Sequence, residues 1–543
     1  MNPSSLYQRV GAVALIRFQS GRVNSLSLSL RQWLSHALTV AQGDEAVRAI
    51  VLMGEGGVFS AGADVTEFNT PAASTEPTLP SVIEQVAKSA KPVVAAIDGV
   101  AYGGGLELAL ACQQRLLSSR AKLALPEVTL GLVPGAGGTQ RLPRVVGLSC
   151  ALDMVSTGRP VAAEEAVAIG LGEGLSDEDL AAAACAYAQG LALVPVLSDA
   201  PALPLGTDEE ALLQQAYARV AKTQRGFMAP KVAIDCVAAS TRLGLNAGLA
   251  YERQQFDRLV QGQETQALRH LFFAQRQAAK TAVTEPLPPI RTIAVVGGGL
   301  MGTGISINAA DAGLPVLLLE QDAEALAKAL ARIKAHYQRQ VAQGRLAQAA
   351  ATAKTALIVG TLVEQEVAEV DLVIEAVFED MTLKQSVLAR LDAVCGPDTL
   401  IASNTSRLDI NLLASSTQRP QQVLGMHFFS PANVMRLLEV VRGSETAPVT
   451  VARVMALAKR LNKVAVVVGV CEGFVGNRML SPYQREALFL LEEGASVAQV
   501  DGALYGFGMA MGPFVMSDMA GLDIGWAARK RLAPTRDPRR RYS

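Results

Sequence analysis

The stretch that decides the fold of the second half is RTIAVVGGGLMGTGISINAADAGLPVLLLEQD, residues 291–322. An apolar run, Ile293–Val296, reads as a buried strand. Gly297, Gly299 and Gly302 then form G-x-G-x-x-G, and a helix-compatible run follows. A second apolar run ends at Glu320, about twenty residues on. The glycine triplet alone is a weak signal, but here its strand–turn–helix–strand setting is complete. The first glycine permits a tight turn, the second lets backbone N–H groups approach a pyrophosphate, and the third lets helix and strand pack closely. The helix N-terminus favours phosphate charge. Glu320 can accept hydrogen bonds from a ribose hydroxyl and would repel a 2′-phosphate, so NAD is expected over NADP.

Outward from this stretch the alternation continues. LPVLLLE, DLVIEAV, TLIASN, VLGMHFF and VAVVVG are apolar runs separated by helical patterns. They predict a parallel sheet covered on both faces. His427 follows the strand VLGM, at the carboxyl end where open sheets place their ligands. Glu439 comes twelve residues later. A histidine held at one ring nitrogen by a carboxylate is a good general base near neutral pH. Upstream lies TEPLPPI (284–290), whose three prolines remove donors and fix φ, so a boundary or stiff linker is expected there. Residues 207–280 read as wholly helical, and the pattern turns helical again from 474. Residues 1–190 alternate short strands (12–18, 49–53, 93–97) with helical stretches (27–41, 81–90), an α/β arrangement.

The bulk numbers agree. A chain of 543 residues is too long for one core, and a prior of roughly one domain per 150 residues gives about three or four. Net charge is −1, which offers no electrostatic case for nucleic acid. Six cysteines without a C-x-x-C pair and four dispersed histidines suggest neither a disulfide framework nor a metal site. The N-terminus lacks the basic-then-apolar layout of a signal peptide. No apolar run approaches the length of about 18 residues that a membrane span needs. A reducing, cytoplasmic setting is therefore expected. The tail RDPRRRYS carries no targeting tripeptide and reads as a solvated end.

Residues 291–543 resemble the 3-hydroxyacyl-CoA dehydrogenase family. VVGGGLMGTGI, VFED, SNTS, HFFSPANVMRLLEVV and GFVGNRML stand in the family's order and spacing. The resemblance implies that His427 takes the proton of a substrate hydroxyl while C3 gives hydride to NAD, with Glu439 orienting His427. It implies that Ser406 and Asn477 touch substrate or nicotinamide. Met301, Glu320, Glu379 and Lys384 would lie along the cofactor with Gly297, Gly299 and Gly302. Ser430 stands where many members have Asn, a departure at one cofactor contact.

The first half raises a different question. AYGGGLELALACQQRLLSSRAKLALPE (101–127) places Glu107 and Glu127 among Leu, Ala and Gly. Glutamate is seldom buried without a partner. Taken singly, Glu107 reads as a first-turn helix residue and Glu127 as a surface-turn residue after Pro126. Together with VFSAGADVTEF (58–68) and LALPEVTLGLVPGAGGTQRLPRVVG, the stretch resembles the enoyl-CoA hydratase (crotonase) family. That implies a spiral of strand–strand–helix turns, with both glutamates over the double bond of a 2-enoyl thioester. Hydration needs a base to take a proton from water and an acid to protonate C2, and two carboxyl groups can share this work. The enolate that develops needs preorganised N–H donors. Gly104 can supply one because it has no Cβ, and the resemblance assigns the second to Ala63. Asp64 is expected to be a turn residue and Cys112 a core residue. The Phe272–Phe273 pair is expected in the core, and Arg22–Asn24 near the adenine end of coenzyme A.

The two resemblances, in this order, are those of the bifunctional fatty-acid β-oxidation family (multifunctional enzyme type 1). They imply a crotonase-like hydratase core over 1–190 and a helical extension with a linker helix over 191–284. A Rossmann NAD domain over 285–473 and an incomplete all-α domain over 474–543 would follow. The expected activity is hydration of 2-enoyl-CoA and NAD-dependent oxidation of the resulting 3-hydroxyacyl-CoA, with double-bond isomerisation possible at the same glutamates. Acyl-CoA thioesters are the expected small-molecule partners, with no nucleic acid, membrane span or metal. A thiolase partner or self-association stays open. The family continues past the point where this chain stops, so a C-terminally shortened protein is expected. The alternative expectation is a hydratase/isomerase whose second half binds NAD without oxidising.

Overall fold

The structure, a computed structural model, describes residues 7–174, 179–191, 209–283, 285–522, 526, 529–530 and 533–542. The start of the expected helical extension, 192–208, and Thr284 of the proline-rich linker lie outside the described residues. The chain divides into two compact units, Met1–Phe272 and Phe273–Ser543.

In the first unit, β1 (Gln8–Val10), β2 (Val13–Phe18), β3 (Ala49–Gly54) and β4 (Val93–Ile97) belong to a five-stranded sheet. β5 (Val100–Tyr102), β7 (Lys122–Ala124) and β8 (Val161–Ala162) form a smaller sheet, and β6 (Gln114–Leu117) completes the larger one, ordered β1-β2-β3-β4-β6. From β2 to β6 the larger sheet is parallel. β3 and β4 are buried along almost their whole length, because helices and the second sheet cover both faces. The chain climbs by repetition. β4 and β5 lead into the helix Gly104–Ala111; β6 and β7 lead into the 3-10 turn Glu127–Leu130 and the helix Gly138–Thr157. β5 and β7 are parallel neighbours with Tyr102 opposite Ala124. The residues just past each strand therefore emerge at one edge of the small sheet. Two glutamates twenty positions apart meet because they occupy successive turns of one spiral.

Helices Glu209–Thr223, Ala229–Ala239, Leu245–Val260 and Gln263–Ala278 follow, as the helical periodicity predicts. The boundary between the units falls inside the last of them. Its first half is tied to the first unit: Thr265 Oγ1 donates to Gly131 O and Arg269 to the carbonyls of Val65 and Phe68.

The second unit holds β9 (Ile293–Val296), β10 (Val316–Leu319), β11 (Ile358–Thr361), β12 (Leu372–Glu375), β13 (Leu400–Ser403), β14 (Val423–Phe428), β15 (Leu437–Arg442) and β16 (Val464–Gly469). Their order is β11-β10-β9-β12-β13-β14-β15-β16. The first six are parallel. The expected all-parallel sheet is corrected at β15, which runs antiparallel to β14, with β16 parallel to β15. The link between β14 and β15 is too short for a parallel crossover, which needs about a dozen residues. Strand order reverses at β9, which opens a crevice at its carboxyl end. Helices Gly476–Glu492, Val497–Phe507 and Pro513–Ala520 follow the sheet.

Candidate active sites

The first site lies where β5 and β7 end. Glu107, only 2% exposed, sits in the first turn of Gly104–Ala111. Its Oε1 accepts from the N–H groups of Ala136 (2.8 Å) and Gly138 (2.9 Å). Burial raises its pKa, and the two N–H bonds pull the other way. Glu127 heads the 3-10 turn with its Oε2 buried and without a partner. Its pKa is raised well above the carboxylate range, first by burial and then by the charge of Glu107. The glycine run is explained by Gly103: its φ is +52° and a Cβ there would stand 2.8 Å from Glu127 Oε1. Gly104 lies against Ala63, since a Cβ on Gly104 would be 3.2 Å from the Ala63 nitrogen. Among the described residues neither the Ala63 N–H nor the Gly104 N–H has a protein acceptor. Two adjacent free amides thus stand beside two carboxyl groups.

Asp64 is the turn residue expected, accepting from Thr66 N and Oγ1. Cys112 is core. Asn24 is fully engaged inside the chain: its amide donates to the carbonyls of Glu55 and Val58 and accepts from Ser20 N. Ser60 Oγ donates to Asn24 O and accepts from Gly62 N, which braces the turn that presents Ala63. The Phe272–Phe273 expectation is corrected: Phe273 is 36% exposed and Phe272 is half-buried, because this part of their helix has left the core.

The second site lies at the carboxyl ends of the second sheet. His427 and Glu439 are directly opposite in the β14–β15 register, which is why twelve residues separate them. His427 Nδ1 and Glu439 Oε2 are 2.6 Å apart, both residues buried. Glu439 Oε1 accepts from Val475 N (2.9 Å) and Gly476 N (2.8 Å). Burial pushes the Glu439 pKa up, but the bonds from His427 and the two amides outweigh it and the net shift is down. Phe429 and Phe474 pack on the imidazole at ring separations of 4.4 and 5.8 Å.

The glycine loop follows β9 in the same sheet. Gly297 has φ +98°, and a Cβ on Gly302 would collide with the Gly297 carbonyl. A Cβ on Gly299 would meet nothing, so the backbone there is open to a ligand. Met301 lies in the first turn of the helix Leu300–Asp311 that follows. Glu320 Oε1 accepts from Gly298 N at 2.6 Å, which sets its carboxylate beside the loop. These features fit a dinucleotide pyrophosphate and ribose. Glu379 accepts from Thr405 Oγ1, Ser406 N and Ser406 Oγ; burial opposes its ionisation, but Lys384 and these donors hold its pKa below the usual range. Asn477 Nδ2 donates to Ser406 O at 3.4 Å, so those two are brought together. Lys384 is not brought to an open surface. It is 1% exposed, and its ammonium is spent on Glu375 Oε1 (2.7 Å) and Val377 O, with Glu379 at 3.5 Å. Ser430 is exposed just past β14.

Comparison with known proteins fits this arrangement. The enoyl-CoA hydratase/isomerase profile matches residues 8–198. The 3-hydroxyacyl-CoA dehydrogenase NAD binding domain matches 292–471, and its C-terminal domain matches 473–543. The chain is 42% identical over 550 residues to the peroxisomal bifunctional enzyme of Danio rerio, covering 98% of this chain and 75% of that one. It is 41% identical to the peroxisomal bifunctional enzyme of Homo sapiens, covering 96% and 73%. A peroxisomal fatty acid beta-oxidation multifunctional protein of Arabidopsis thaliana is 37% identical, covering 95% and 73%. The chain belongs to the bifunctional β-oxidation enzyme family.

In this bifunctional enzyme the sequence reading missed one functional-site neighbour, Glu252. It lies on the helix Leu245–Val260, 1% exposed, and accepts from Gly137 N (2.6 Å), Thr139 N (2.7 Å) and Thr139 Oγ1 (2.5 Å). Burial first, and then the charge of Glu107, push its pKa up to about 8. A signal was present: Glu252 falls at helical spacing from Gly248 and Leu259, on the buried face of its helix.

Proposed function

We propose that this bifunctional enzyme hydrates 2-enoyl-CoA at Glu107 and Glu127 and oxidises the 3-hydroxyacyl-CoA product at His427 with NAD. Hydratase and NAD-dependent dehydrogenase activities are those of the family. The observation that carries the residue roles is the unequal setting of the two glutamates. Glu107 has two amides stabilising its charge; Glu127 has a buried oxygen with none. Near neutral pH Glu107 is the carboxylate and Glu127 the acid. Glu107 takes a proton from water as the oxygen attacks C3. The electrons pass to the thioester oxygen, held by the N–H groups of Ala63 and Gly104, and Glu127 delivers its proton to C2. Each such N–H donor is worth roughly 3–4 kcal/mol in kcat.

At the second site Glu439 fixes the imidazole with Nδ1–H toward the carboxylate, so Nε2 presents a lone pair to the substrate hydroxyl. When bound, NAD supplies the acceptor for the hydride that leaves C3. Gly297, Gly299, Met301 and Gly302 would hold its pyrophosphate, and Glu320 its ribose. Ser406, Glu379, Ser430 and Asn477 line the nicotinamide and substrate end, with Lys384 acting through Glu379. On this reading residues 1–190 are the hydratase core, 191–284 the helical extension, 285–473 the NAD domain and 474–543 the start of the helical domain.

A cytoplasm-like reducing compartment fits six cysteines that all stand as free thiols. The relatives' names say peroxisomal, and fractionation of cells expressing the tagged protein distinguishes the two. Among the described residues no helix is long and apolar enough to cross a membrane. A thiolase partner or self-association stays a proposal, read out by light scattering with and without thiolase. The residue roles are tested with E107Q and E127Q. Each is expected to lose hydration of crotonyl-CoA while keeping NADH formation from 3-hydroxybutyryl-CoA. Undiminished hydration in either variant overturns its role.

A further inference from the structure

Four successive backbone amides form a strip at the start of the helix Gly138–Thr157, and they alternate between two carboxylates. Ala136 and Gly138 donate to Glu107; Gly137 and Thr139 donate to Glu252. The two glutamates therefore share one strip of backbone. Gly137 has φ +113°, and a Cβ there would stand 2.9 Å from Arg141 Nε, so this turn of the strip requires glycine. Glu252 arrives from more than a hundred residues away and is fully buried. An apolar side chain at this place would avoid the cost of a buried carboxyl group. A hydroxyl cap could satisfy one amide. The carboxyl group of Glu252 meets Gly137 N with one oxygen and Thr139 N and Oγ1 with the other.

We infer that Glu252 is a positioning residue of the hydratase site: by fixing the amides of Gly137 and Thr139 it aims the neighbouring amides of Ala136 and Gly138 at Glu107 and holds that side chain in place. The inference rests on Glu107 being the base, a role that E107Q tests separately. Glu252 does not touch substrate. Its effect passes through the strip, so it belongs to turnover and not to thioester binding.

The variant that isolates this is Glu252→Gln. In either orientation the amide NH₂ faces Gly137 N–H or Thr139 N–H, a donor against a donor, and the strip must shift. The full chain is assayed for crotonyl-CoA hydration. The expected result is a fall in kcat of about 10- to 100-fold with KM nearly unchanged. NADH formation from 3-hydroxybutyryl-CoA serves as the reference within the same molecule. Glu252→Gln with normal kcat, or with its loss entirely in KM, overturns the inference. Should Glu252→Gln fail to fold, Thr139→Val decides. It keeps the amide and removes one donor, so a smaller fall in kcat with KM unchanged supports the inference, and unchanged kcat overturns it.

Discussion

Glu439→Gln separates the roles of charge and shape at the dehydrogenase site. The side chain is buried, with one oxygen on Val475 N and Gly476 N and the other 2.6 Å from His427 Nδ1. The two amides require an acceptor, so the glutamine oxygen stays with them and its NH₂ turns to the imidazole. Either Nδ1–H then opposes a donor, or the ring adopts the other tautomer and Nε2 carries the proton. In the second case no lone pair faces the substrate hydroxyl. Loss of the charge-assisted bond alone costs about 1.5–3 kcal/mol, about 10- to 150-fold in rate. Exclusion of the productive tautomer brings the expected loss in kcat to about 10³- to 10⁴-fold. The assay is NADH formation from 3-hydroxybutyryl-CoA, with crotonyl-CoA hydration by the same preparation as the reference. Unchanged NADH formation would refute the assignment of Glu439 as the group that orients His427.

Other perturbations bear on neighbouring parts of the account. Gly103→Ala meets both φ +52° and Glu127 Oε1, so a stability loss of about 1–2 kcal/mol in thermal unfolding is expected, with slower hydration and normal dehydrogenation. Gly302→Ala would collide with the Gly297 carbonyl; NAD titration by fluorescence should show binding lost while hydration persists. The units should differ in pH dependence. Glu107, Glu127 and Glu252 have raised pKa values, so their contribution to the first unit is present below the ordinary carboxylate range and is lost as pH rises, through about 8 for Glu252. Glu379 and Glu439 are lowered, so their contribution to the second unit is present above that range and is lost as pH falls. Thermal unfolding across pH checks the signs, and Glu252→Gln should flatten the alkaline decline.

Much of this was legible in the chain because local chemistry and tertiary placement coincide there. The loop at Gly297–Gly302 declares itself through turn geometry and helix spacing, both short-range. The pair Glu107 and Glu127 is conspicuous because charge stands in apolar surroundings. What was not legible is set by long-range register. The run LLEVVR does not announce that β15 turns antiparallel; only the short link from β14 requires it. Lys384 sits at helical spacing in a polar-looking segment, and its burial depends on Glu375 at the end of β12, which no local pattern links to it. Glu252 was visible as a charge on an apolar helix face, but its partners at Gly137 and Thr139 are a tertiary fact. Phe272 and Phe273 read as core from hydrophobicity alone, whereas their helix has already left the first unit's core at that point.

The most direct test of two linked active sites is to give the full chain crotonyl-CoA and NAD and follow loss of the conjugated thioester and formation of NADH together. Both signals should change, Glu127→Gln should abolish both, and 3-hydroxybutyryl-CoA should restore NADH formation in that variant. Loss of the conjugated thioester with no NADH from either substrate would contradict the presence of two linked active sites.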